Sequence, residues 1–233
     1  TNPEAGIAAT IATAISLGAT ALDGIRVSAI EEDGDHVVVR TAARDFRAGQ
    51  VVMAAGAWNA ALAPELPFSP RRTPMFWFEP TAGDKNFDLE SFPVFCREIS
   101  PDTGLWGHGA TADHPVKLGL LDTGDHFSDV DPDTMSRGIR LPDDHADLSA
   151  SIDSAFAGLP SRPASVTPCI VTNSPDRQFV IGRHPARSRI VVAGGDSGHG
   201  HKHAPAIGEL IAQLITGIES TIPSAFVSPA RFS

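Results

Sequence analysis

A chain of 233 residues, 42% hydrophobic and 20% charged, has an ordinary globular composition and ample length for a hydrophobic core. Its formal charge of −10 excludes the basic footprint of nucleic-acid or anionic-membrane binding, and no apolar run approaches the roughly 20 residues needed to cross a bilayer. Two cysteines, Cys96 and Cys169, exclude a disulfide framework and suit a reducing, cytoplasmic setting. The opening Thr1-Asn2-Pro3-Glu4 lacks the layout of a secretory leader.

The spacing predicts a helix over 3–17, with Pro3 in its first turn, Gly18 as its stop and Ile7, Ile11, Ala14 and Ile15 on one stripe. The period then changes to strands at 24–30 and 36–40 around the Asp33-Gly34 turn, a short run near 45–47, and an apolar strand over 51–55 ending at Gly56. This first section reads as strands packed on a helix. Prolines 64, 67, 70, 74 and 80 punctuate a strand-like Met75–Phe78, followed by short runs at 94–95, 105–107 and 116–120 and an acidic loop over 122–133. A helix near 143–157, with Asp143-Asp144 at its N-terminus, leads back to strands at 166–172, 179–181 and 189–193. A glycine-rich turn then opens a helix over 204–215, stopped by Gly217. The order of elements predicts an α+β to α/β chain, with 1–62 and 160–233 forming one domain and 63–159 a second, antiparallel-sheet domain.

Four segments carry candidate chemistry. Val51–Trp58 ends an apolar strand in small residues, so backbone at Gly56 can approach a ligand closely; a buried strand with a tight turn has the same pattern. Val191–Lys202 feeds a strand into a loop with four glycines and then a helix, aiming backbone N–H groups at one point. Its spacing matches neither a Walker loop nor G-x-G-x-x-G. His199, His201 and His203 alternate within it, which allows a metal site, although no companion ligand set is present. Cys169 lies on a strand, where a cysteine is either a small apolar filler or a nucleophile beside an electrophile. Lys117, one of only three lysines with Lys85 and Lys202, interrupts the apolar run 116–120, either facing solvent or holding a charge near chemistry.

Taken in order, Val51–Trp58, Lys117-Leu118-Gly119, Cys169 with Thr172, Asp176 and Phe179–Gly182, and Gly194–Lys202 resemble the family of monomeric sarcosine oxidase and N-methyltryptophan oxidase, within the D-amino-acid-oxidase-like FAD-dependent oxidoreductases. The resemblance implies FAD-dependent oxidation of a secondary amine, of an N-methyl or cyclic amino acid, to an imine, with O2 reduced to hydrogen peroxide. It implies a covalent flavin link at Cys169, an oxygen-activating cation at Lys117 and a substrate-carboxylate partner at Lys202. Gly195, Ser197, Gly198, His199 and Gly200 would then line the flavin ring, and Val27, Ala54, Ala55, Gly56 and Trp58 the adenosine half. The partners implied are a small amine and O2, with no nucleic acid, membrane or metal.

Leu121 and Val171 stand where sarcosine oxidase has a histidine and a tyrosine facing substrate, which favours a more apolar amine. No segment matches the family's N-terminal G-x-G-x-x-G unit. The expected architecture is therefore the C-terminal three-fifths or so of a family member: part of the FAD-binding domain plus a substrate-binding antiparallel sheet, with a missing N-terminal half or self-association as a further partner. A non-catalytic fragment and a histidine-cluster metal protein are the alternatives.

Overall fold

The computed structural model describes all residues except 1, 102, 122–128, 141–143 and 145. In chain order the elements are α1 (Pro3–Ser16), β1 (Val27–Asp33), β2 (His36–Thr41), β3 (Phe46–Ala48), β4 (Val51–Met53), α2 (Asn59–Leu62), β5 (Ser69–Phe78), β6 (Phe95–Ser100), β7 (Thr103–His108), β8 (Val116–Leu120), α3 (Ala146–Ala155), β9 (Ser165–Asn173), β10 (Val180–Arg183), β11 (Ile190–Gly194) and α4 (Ala204–Thr216), with short 3-10 turns between and after them. The chain divides into two compact units, one of Thr1–Phe68 with Thr172–Ser233 and the other of Ser69–Val171.

In the first unit, β1-β2-β3 form an antiparallel meander, while a second sheet has the order β10-β11-β4, with β10 antiparallel and β4 parallel to β11. Alternation along the strands sends side chains to opposite faces. Val180, Ile190 and Val192 join Ile30, Val37, Met53 and Phe68 in one core, whereas Ile181 joins Leu210 of α4 and Val227 in another. Helix α4 ends where Gly217 takes a left-handed φ of +73°.

Helix α1 forms where the spacing places it, and the Asn2 side chain caps it by accepting from Ala5 N–H at 3.0 Å. Its packing is not as expected. No residue of α1 is buried, and Ile7, Ile11 and Ile15 of the apolar stripe are large exposed side chains. The first section is therefore strands without α1 as their cover.

The second unit is a five-stranded sheet of order β6-β7-β8-β5-β9. One face carries Phe76, Phe78, Leu105, Val116, Leu118 and Leu120, closed over by Leu148, Ile152 and Phe156 from α3 and its following turn. Strand β5 is longer than the proline pattern suggests, running through Pro70 and Pro74; its pairing with β8 uses only Phe76, Trp77 and Phe78, so neither proline is asked to donate to that ladder. The expected start of α3 at Asp143 lies outside the described residues. The acidic loop over 122–133 does so for 122–128.

Candidate functional site

In the first unit, parallel pairing of β4 with β11 (Val51 with Ile190, Val52 with Val191, Met53 with Val192) brings the ends of two predicted motifs side by side, although they are far apart in sequence. Ligands of parallel sheets bind beyond the carboxyl ends of their strands, and the loops starting at Ala54 and Gly195 occupy that edge. Asn59, fully buried, ties them together: Ala55 N–H donates to its Oδ1 at 3.0 Å, and its Nδ2 donates to Ala193 O at 3.0 Å. The fit admits no side chain at Gly194, where a Cβ would stand 2.4 Å from Asn59 Nδ2.

Both loops contain left-handed backbone that favours glycine. Gly56 has φ +56° with nothing within 4 Å of where a Cβ would stand, and Gly195 has φ +63°. Ser197 holds φ +48° without being glycine, fixed by three bonds: its N–H donates to Thr172 O at 3.1 Å, its hydroxyl to Gly195 O at 3.2 Å, and Ser174 N–H donates to its Oγ at 3.4 Å. Gly56 is open at this edge, whereas Gly195 turns its missing side chain towards Val180 at 2.9 Å, so the second loop uses glycine to pack closely; open backbone at Gly56 fits one side of a dinucleotide cofactor. Ala55, Gly56, Trp58, Gly195, Ser197, Gly198, His199 and Gly200 all belong to these two loops, whereas Val27 is the first residue of β1 and packs on the core that holds Met53 of β4.

His199 and His203 stack edge-on against Phe179, with ring centroids 4.9 and 5.4 Å away, and His199 Nε2 lies 3.0 Å from Arg177 O. Among the described residues no group of three His, Cys, Asp or Glu side chains could hold a metal ion, so the metal reading finds no site. Lys202, within the turn that leads into α4, is exposed. Asp176 is a structural group: Arg231 donates to both its oxygens at 2.8 and 2.9 Å, which drives its carboxyl far below the usual range.

The second unit holds Lys117 and Cys169. Lys117 lies on the sheet face opposite α3, its Nζ 5.5 Å from the ring centroids of both Trp77 and Trp106. Cys169 is half-buried; burial pushes its thiol up, and the charges of Lys117 and then Arg137 pull it back. Sequence reasoning missed Asn59, Trp77 and Trp106. A lone asparagine after Trp58 has no periodic signal, although the indoles could have been found as alternate residues beside the Lys117 strand.

A model of the family described as DAO, FAD dependent oxidoreductase, matches residues 1–214. The chain belongs to this family. It is 31% identical over 240 residues to a monomeric sarcosine oxidase of Streptomyces avermitilis, covering all of this chain and 61% of the relative. It is 28% identical over 215 residues to an N-methyl-L-tryptophan oxidase of Citrobacter koseri, 92% of this chain and 56% of the relative. Family membership thus rests on a chain that spans about three-fifths of the length of these curated relatives. The fold is shared with NikD, an amino acid oxidase essential for nikkomycin biosynthesis, at a TM-score of 0.74 and 22% identity over 95% of this chain and 58% of that one. It is also shared with L-proline dehydrogenase from P. horikoshii, at a TM-score of 0.68 and 21% identity over 95% and 57%. No helix among the described residues is long and apolar enough to cross a membrane.

Proposed function

We propose that this chain is the C-terminal portion of an FAD-dependent amine oxidase that converts a secondary amine of an N-methyl or cyclic amino acid to an imine, with O2 reduced to hydrogen peroxide. In this reading the first unit is part of the FAD-binding domain and the second the substrate-binding domain. The observation that carries it is the parallel pairing of β4 with β11, which sets two glycine-bearing loops on one carboxyl edge, in a chain of this family. When bound, FAD accepts two electrons from the amine C–N unit and delivers them to O2.

The loops at 54–58 and 195–200 would hold the dinucleotide through backbone N–H groups. Cys169 would anchor the ring through a thioether, for which its thiol must first lose a proton; burial holds the thiol above its ordinary value, and the charges of Lys117 and Arg137 offset only part of that. Lys117 would hold its ammonium against negative charge developing on oxygen. Lys202, exposed and cationic, would pair with a substrate carboxylate. Leu121 and Val171 would give the amine an apolar lining that selects by shape.

The test is direct. The purified chain is incubated with FAD and precipitated with acid. Yellow colour retained in the pellet, and lost with Cys169→Ser, is the expected result. A colourless pellet from folded chain overturns covalent attachment. A second reading, a non-catalytic fragment that needs an N-terminal half, draws on the exposed stripe of α1 and on the three-fifths span. Under it the chain takes up FAD only after an N-terminal segment from a relative is added.

A further inference from the structure

We propose that Trp77 and Trp106 are positioning residues that seat the Lys117 ammonium by cation–π contact in place of a carboxylate counter-ion. Strand β8 lies between β7 and β5, so Lys117 has an indole on each neighbouring strand, and both rings stand 5.5 Å from its Nζ, inside the ~6 Å reach of this interaction. Trp77 is the direct cross-strand partner of Lys117, while Trp106 faces Gly119 two residues along the same strand.

The seat is built rather than incidental. The Trp106 ring lies across Gly119, where a Cβ would come within 2.5 Å of it, and its indole N–H donates to Leu120 O at 3.1 Å. The other titratable partner in the row, His108, turns its Nδ1 to Gly109 O at 2.8 Å. Among the described residues no carboxylate pairs with Lys117. A carboxylate would fix the ammonium by occupying its N–H donors and cancelling its charge. Two ring faces attract the same charge and leave the donors free. On the oxidase reading, on which this part rests, those donors meet the oxygen-derived anion.

The seat itself is tested in the flavin-free chain, in a Cys96→Ser background, through the rate of Cys169 alkylation by iodoacetamide as a function of pH. Arg137 is the other charge acting on that thiol and serves as a constant. Lys117→Met is expected to move the profile upward, giving about three- to tenfold slower alkylation at a fixed pH below the midpoint. Trp106→Leu should reproduce most of that shift, Trp106→Phe should restore it towards wild type, and Trp106→Leu should add nothing in a Lys117→Met background. A Trp106→Leu profile equal to wild type overturns the inference, as does an equal shift with and without Lys117. Failure of the chain to take up FAD even after an N-terminal segment from a relative is added, with this pattern intact, removes the oxidase reading and leaves the seat standing.

Discussion

Arg72 and Asp144 form a two-pronged ion pair inside the second unit, with their side chains 5% and 3% exposed. Arg72 Nη1 and Nη2 each donate to a different Asp144 oxygen, and Arg72 also donates to Ser136 O and Gly138 O, which fastens the segment before α3 to β5. Removing one partner strands the other charge without solvent. Asp144→Ala should therefore cost about 3–5 kcal/mol, read as a lower urea midpoint by tryptophan fluorescence, with Trp58 replaced by Phe so that Trp77 and Trp106 report on the second unit. Burial alone would raise the Asp144 carboxyl, but the bonds from Arg72 and from Arg140 N–H outweigh it and hold it below its usual value. Its contribution is thus present above the ordinary carboxylate range and lost as pH falls through the lower folded value.

Acid should act sooner in the first unit. His184 is buried, accepts from Ala186 N–H at 3.1 Å through Nδ1 and faces Glu65 Oε1 at 2.6 Å through Nε2. Burial and then the Arg187 guanidinium push His184 below its ordinary value, against the pull of Glu65. The unfolded chain then binds a proton near pH 6.5 that the folded chain refuses, so stability is present above that pH and falls as pH drops below it. Thermal unfolding scans from pH 8 to 5 should show the loss beginning near neutrality. His184→Gln should flatten that part of the curve.

Asn59→Ala should cost about 2 kcal/mol or more, since it leaves Ala55 N–H and the Ala193 carbonyl without their shared partner. Asn59→Asp keeps an acceptor for Ala55 but sets a carboxylate oxygen against Ala193 O, and should be no better than Ala. The two midpoints in denaturant decide this, and FAD uptake should weaken in step.

In chain that has taken up FAD, Lys117→Met should slow reoxidation of the reduced flavin by about 100-fold or more, while substrate-driven reduction changes far less. Stopped-flow traces of the two half-reactions separate them. Equal slowing of both would remove Lys117 from oxygen chemistry.

The stripe on α1 gives an inverse expectation. Ile11 is 46% exposed, so Ile11→Glu should change stability by no more than about 0.5 kcal/mol while reducing self-association in light scattering.

What could be read in advance was local. β8 stands at 116–120 as its short apolar run indicates, and α4 ends at Gly217 because a left-handed stop is visible in a single residue. What could not be read depends on partners distant in the chain. Asn59 finds Ala193 across 134 residues, and Arg72 finds Asp144 across 72. Neither contact leaves a period or spacing. The stripe of α1 misled in the other direction: periodicity reports that a helix has an apolar face, not that something in the same chain covers it. The candidate site was legible where it consists of backbone, as at Gly56 and Gly195, and illegible where it depends on a bridging side chain.

The contact of Trp106 with Gly119 also dictates the order in which variation can enter this sheet. A single methyl at position 119 meets the indole before it meets anything else, so a library of single substitutions should find that position closed. Once the ring at 106 is exchanged for a smaller group, the same position opens. The two sites are epistatic by geometry: a lineage that reshapes this face must change the large residue first, and each intermediate passes through a chain with a looser hold on its lysine.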